Sequence, residues 1–154
     1  IRVMPNMPAV IGEGVSALAA GGAARAAHMD LAREIFSTVG EAIEVTEGLM
    51  DAVTAVSGSG PAYFFYLMEL MVAAAVELGL DGATARRLVV KTALGSAKIV
   101  EALREDPAAL RKKVMSKGGT TEAAFRVLEE KGMAAAVTEA LGAACARSRE
   151  LSQR

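Results

Sequence analysis

Residues 61–78 constrain this chain more than any other segment. From Pro61 the run Ala62-Tyr63-Phe64-Phe65-Tyr66-Leu67-Met68-Glu69-Leu70-Met71-Val72-Ala73-Ala74-Ala75-Val76-Glu77-Leu78 is apolar almost all round, and proline suits the first position of such a helix. A helix of this kind must be buried. A bilayer is one place to bury it, but Glu69 sits near its centre and the uninterrupted apolar run falls short of the ~20 residues a membrane requires. A chain of 154 residues builds one sizeable core and is too small to enclose the helix on every face. The pattern therefore predicts a helix running between two subunits, as the core of a helical dimer.

The remainder is also predicted to be mainly helical. Apolar residues make up 53% but aromatics only 4%, so the core is built from alanine and aliphatic side chains, and alanine is the best helix former. Met29, Leu31, Ile35 and Val39 share a helical period over about 23–39, with Gly40 as the stop. A short helix over 49–56 is expected to end at Ser57-Gly58-Ser59-Gly60-Pro61. Asp81-Gly82-Ala83-Thr84 opens the next helix, inside which Gly95 suggests close helix contact, and Asp106-Pro107 starts a short one. Two more are expected at about 121–131 and 134–151. Residues 1–20 differ: Pro5, Pro8, Gly12 and Gly14 forbid a helix, and 12–20 read as a short strand leaving a glycine turn, with a second brief strand at 43–45. There is no repeat and no linker.

Charge and composition exclude several functions. Seventeen Lys plus Arg against 18 Asp plus Glu leave a net charge of -1, so nothing drives binding to nucleic acid. One cysteine, Cys145, and one histidine, His28, supply neither a disulfide nor a zinc ligand set, so no metal is expected. His28 reads as a solvated surface residue. With no signal peptide at the start, a cytoplasmic protein is the simplest expectation.

Ser116-Lys117-Gly118-Gly119-Thr120-Thr121 opens directly into a helical stretch. Two glycines let the backbone approach a ligand, and either threonine could cap a first turn whose amides lack intrahelical partners. Free amides at the positive end of a helix suit a carboxylate or phosphate. The alternative is an ordinary capped helix start after a glycine turn. The basic run Arg111-Lys112-Lys113 reads as a solvated face that lies just before the loop in sequence.

Met4-Pro5-Asn6, Asp51-Ala52-Val53-Thr54-Ala55-Val56-Ser57-Gly58-Ser59-Gly60-Pro61-Ala62-Tyr63, Ser116–Thr121 and the closing Ala146-Arg147-Ser148-Arg149-Glu150-Leu151 stand in the order found in one family. Together they resemble pyrroline-5-carboxylate reductase over essentially the whole chain. The resemblance implies an all-α helical dimerisation domain, of the kind at the C-terminus of 6-phosphogluconate dehydrogenase, over 21–154. Residues 1–20 would be a short remnant of Rossmann-type strands from the end of a dinucleotide-binding domain. No G-x-G-x-x-G is present, so the numbering is expected to begin inside a longer protein whose first domain is missing. The isolated chain is then expected to be inactive.

The family reduces 1-pyrroline-5-carboxylate to L-proline, the last step of proline biosynthesis, with NADPH or NADH. The resemblance implies a homodimer or a larger oligomer; the charge balance speaks against nucleic acid, and Glu69 in the apolar run against a membrane. It also implies that Ser116, Gly118, Gly119, Thr120 and Thr121 bind substrate, with the amides of Gly119, Thr120 and Thr121 on its carboxylate. The Thr121 hydroxyl would meet the ring nitrogen as the catalytic contact. Glu47 would lie near the imino acid, or else be a solvent-facing turn residue. Met4, Pro5 and Asn6 would lie at the nicotinamide edge. Lys117 departs from the family, which usually carries proline there. Two other readings stand beside this one: a non-catalytic dimerisation module, and a related reductase acting on another imine or a β-hydroxy acid. The β-hydroxy-acid enzymes pair a helical lysine with a nearby asparagine; Lys91 and Lys98 are such lysines, but no asparagine follows Asn6.

Overall fold

The computed structural model describes residues 1–152. Three short strands come first in the fold: β1 (Arg2–Met4), β2 (Gly14–Ala19) and β3 (Gly40–Glu44). β2 is central, antiparallel to β1 with Met4 opposite Ala17, and parallel to β3 with Gly14 opposite Gly40. Its residues Ser16, Ala17, Leu18 and Ala19 are buried, as a middle strand requires. Helix α1 (Ala26–Ser37) is the crossover between the parallel pair. Gly40 does not stop α1, which ends at Ser37; it opens β3 instead, at φ +146, where a Cβ would meet the carbonyl oxygen of Gly14 at 1.9 Å. Close backbone approach explains that glycine better than helix termination does.

After β3 the chain stays helical longer than its glycines suggest. A 3-10 turn (Glu47–Leu49), α2 (Met50–Val53), a π turn (Thr54–Gly58) and α3 (Gly60–Glu77) follow one another within a single helical run, Glu47–Glu77. The expected break at Ser57–Pro61 is present only as one residue: the π turn ends at Gly58, Ser59 lies outside any helix and α3 starts at Gly60. The Ser59 amide reaches back to Thr54 O at 2.8 Å, and the hydroxyls of Thr54 and Ser57 donate to the carbonyls of Met50 and Val53. Pro61 falls in the first turn of α3, where its missing amide costs no intrahelical bond, so the chain resumes its helical course directly after Ser59. Gly58 serves close packing: a Cβ there would meet Met4 Cε at 2.2 Å.

The run Glu47–Glu77 is long and apolar enough, by length and composition, to cross a membrane, and 6% of its apolar window is buried within the chain. The helix is longer than the apolar run it contains, and that run stays interrupted by Glu69. Phe64, Tyr66 and Leu70 on α3 are 65%, 60% and 48% exposed.

The other helices are α4 (Gly82–Leu103), α5 (Pro107–Lys113), α6 (Thr120–Glu130) and α7 (Met133–Ser152). Asp81 caps α4, accepting the amides of Ala83 and Thr84 at 3.1 and 3.0 Å; the Thr84 side-chain and backbone hydrogen bonds hold its carboxyl below the ordinary value of 3.8. Asp106 caps α5 through the Ala108 amide at 2.6 Å. Apart from its chain neighbours and its own helix backbone, no heavy atom of the described residues lies within 4 Å of a Cβ built on Gly95, so the close helix contact expected there is not made within the chain.

The chain forms two compact units, Ile1–Phe64 together with the segment from Val137, and Phe65–Ala136. In the first, Ala17, Ala19 and Met50 form a small buried cluster on which Met4, Val45 and Val53 pack. In the second, Ala85 and Val89 of α4 are the buried apolar residues.

Candidate functional site

In the second unit, α5 leads into the glycine loop and α6 leaves it. The Arg111 guanidinium lies 5.0 Å from the centre of the Phe125 ring, so the last turn of α5 is stacked on α6. Lys113 pairs with Glu105 at 2.5 Å. Two of the three basic residues before the loop thus have local partners.

The loop is a tight turn. The Gly119 amide donates to Ser116 O at 2.9 Å and Gly118 lies at φ +72, a combination that fits a type II turn with Lys117 second and Gly118 third. Glycine is needed at 118 because the left-handed region is costly for any residue with a Cβ. Gly119 is the N-cap of α6, at φ -83 and ψ 171, with Thr120 and Thr121 in the first helical turn. Neither threonine caps the helix. Glu122, in that same turn, instead reaches back past the N-cap and accepts the Gly118 amide on Oε2 at 2.5 Å.

This arrangement changes which amides are free. Gly119 was expected to donate to a ligand, but its hydrogen is spent inside the turn. Among the described residues, the amides of Thr120, Thr121 and Glu122 have no hydrogen-bond partner, and they are successive donors at the positive end of an 11-residue helix. Thr121 is half-buried, whereas Ser116 and Thr120 are exposed. A shallow hollow beside the loop is lined by Gly118, Gly119, Glu122, Phe125, Arg126 and Glu129 among others, and the two threonines are not part of its wall.

The remaining sequence candidates lie in the first unit. Met4 ends β1 and packs on the buried cluster. Asn6 uses its side-chain oxygen to accept the Val15 amide at 3.0 Å, fixing the connection between β1 and β2. Pro5 is exposed. Glu47 is also exposed, but it is not a free carboxylate: Arg2 pairs with it at 2.5 Å and joins β1 to the start of the long helical run. The sequence reading missed Arg2, although it stands two residues before Met4. It also missed Glu122, whose place three residues after the cap is the signal of a reaching-back carboxylate.

A third cluster ties α7 to α2. The Ser148 hydroxyl donates to Asp51 Oδ1 at 2.6 Å and Arg149 approaches the other carboxylate oxygen at 3.8 Å. His28, assigned no role, accepts the Arg25 amide on Nδ1 at the start of α1. Among the described residues no group of three His, Cys, Asp or Glu is placed to hold a metal ion.

The structure therefore gathers Ser116, Gly118, Gly119 and Glu122 around one turn, and gives Met4, Asn6 and Glu47 separate partners within the other unit. Comparison with known proteins agrees with the motifs that carried the resemblance. The family described as pyrroline-5-carboxylate reductase dimerisation matches residues 47–151. Pyrroline-5-carboxylate reductases of Synechocystis sp. and Pseudomonas aeruginosa are 46% and 47% identical over 154 residues, covering 100% and 99% of this chain. Among solved structures, the Coxiella burnetii pyrroline-5-carboxylate reductase is 39% identical with a TM-score of 0.93 over 97% of this chain and 56% of its own. The Plasmodium falciparum pyrroline carboxylate reductase with NADP bound is 32% identical with a TM-score of 0.91, over 96% of this chain and 61% of its own. The chain spans 58% and 56% of the length of the first two relatives. By its sequence and its fold, the chain belongs to the pyrroline-5-carboxylate reductase family, whose dimerisation domain it contains.

Proposed function

We propose that this chain supplies the dimer core and the carboxylate-holding loop of an enzyme that reduces 1-pyrroline-5-carboxylate to L-proline with NADPH or NADH in the cytoplasm. The observation that carries this reading is the set of three open amides on Thr120, Thr121 and Glu122, in a chain whose relatives are reductases of this substrate. A carboxylate fits such donors. The half-buried Thr121 hydroxyl would then contact the ring nitrogen, and Ser116, Gly118 and Gly119 would shape the turn behind it. The chain's own part is to anchor and orient the imino acid; the dinucleotide, when bound, supplies the hydride. The chain contains no G-x-G-x-x-G of its own, so the pyrophosphate would be held by residues outside it.

Glu47 would act near the substrate as one half of an ion pair with Arg2, offering less net charge than a lone carboxylate. Met4 and Asn6 would present the β1–β2 connection to the nicotinamide edge, Asn6 through the backbone that its side chain fixes, with Pro5 exposed between them. The apolar surface of α3, exposed in the single chain, would be covered by a second copy in a homodimer or a larger oligomer. The membrane alternative leaves Glu69 in the lipid, which favours the dimer.

The test is Thr121→Ala in a full-length reductase carrying this chain. Loss of one positioned donor should lower kcat/KM roughly 10- to 1,000-fold with the fold intact. Unchanged kinetics would remove Thr121 from the mechanism, and crystals saturated with proline that left the turn empty would remove the loop.

A further inference from the structure

The loop that offers amides to a carboxylate already holds a carboxylate of its own. Of the five successive amides from Gly118 to Glu122, the first donates to Glu122 Oε2 at 2.5 Å and the second to Ser116 O at 2.9 Å, leaving three open. The Glu122 side chain therefore lies against the same turn that an incoming anion would enter. No Lys or Arg among the described residues forms an ion pair with it; Arg126, which lines the same hollow, is not within ion-pair distance.

Two effects of opposite sign follow. As an acceptor, Glu122 holds the Gly118 amide and with it the left-handed turn, keeping the next three donors in one orientation. As a charge, it claims part of the positive helix end and repels a second anion, an effect that salt screens because the residue is exposed. Resting on the reading that this loop takes the substrate carboxylate, we propose that Glu122 is a positioning residue that shapes the loop and, through its charge, limits the loop's affinity for the carboxylate of substrate and product.

Shape and charge separate by substitution. Glu122→Gln keeps an acceptor for Gly118 and removes the charge, whereas Glu122→Ala removes both. L-Proline is titrated calorimetrically into a full-length reductase carrying this chain, at about 0.02 M and about 0.5 M salt. Glu122→Gln should bind proline about three- to tenfold more tightly than the parent at low salt, with the advantage shrinking at high salt. Glu122→Ala should not reach the affinity of Glu122→Gln, because the turn is no longer held. Binding by Glu122→Gln that equals or falls below the parent at low salt, or Glu122→Ala as tight as Glu122→Gln, overturns the proposal. Pyrrolidine, the same ring without the acid, separates the two layers. If it binds the parent as tightly as proline, the carboxylate loop itself is wrong and both readings fall. If proline needs its acid and Glu122→Gln changes nothing, only the role of Glu122 falls.

Discussion

Ser148 donates its hydroxyl hydrogen to the Asp51 carboxylate at 2.6 Å across 97 positions of sequence, fastening the end of α7 to α2. The Asp51 side chain is only 22% exposed, so removing its donor leaves a charge that water reaches poorly. Ser148→Ala should therefore lower stability by about 1–2 kcal/mol, read as a lower urea midpoint with an unchanged slope. A midpoint equal to the parent's would show that the bond is replaced by solvent.

Lys117 stands second in the turn that Gly118 closes, the position at which proline is favoured, and its amide has no hydrogen-bond partner among the described residues. Lys117→Pro should raise stability by about 0.4–1 kcal/mol through the unfolded chain. A fall in stability would mean that the backbone at 117 does not accept the proline ring.

Gly119 lies at extended angles that any residue adopts, but a Cβ there would meet Ser116 Oγ at 2.3 Å and Ser116 O at 3.0 Å. The hydroxyl can rotate away, whereas the carbonyl belongs to the turn, so the loop must shift while the helix still forms. Gly119→Val should weaken proline binding about tenfold or more, a larger free-energy loss than its effect on unfolding. Equal losses in the two measurements would contradict this.

Asp81 has its carboxyl held below 3.8 by hydrogen bonds from Thr84, so its charge stabilises the fold above that value and the contribution is lost as pH falls through the lowered one. Asp81→Ala should lower Tm at neutral pH, and the gap to the parent should narrow once the pH drops well below 3.8. A gap independent of pH would assign the effect to something other than the charged cap.

Leu70 is 48% exposed on α3, so a charge there does not disturb the packing of the single chain. Leu70→Glu should convert a dimer sedimenting at micromolar concentration to monomers while keeping its helical circular dichroism. An unchanged sedimentation coefficient would move the subunit interface away from α3.

Much of the fold was legible because its signals are local. Asp81, Asp106 and the Gly118 turn announce their helices within a few residues, and α4, α5, α6 and α7 begin within one or two residues of their sequence-based limits. The same local logic located the loop of open amides. It failed at Gly119, because the Ser116 carbonyl takes the amide assigned to a ligand.

What the sequence determined by itself was the family, from its ordered motifs, and the helical character and the place of the Gly118 turn with its open amides, since caps, turns and apolar period act over a single turn of helix. Tertiary structure decided the rest. Gly58 leaves room for Met4 where local rules put a helix end, Glu47 is claimed by Arg2 at 45 positions' distance, and Asp51 is claimed by Ser148. A residue whose partner lies that far along the chain carries no mark of it in its neighbours, because the hydrogen bond or contact exists only after the backbone has brought the two together.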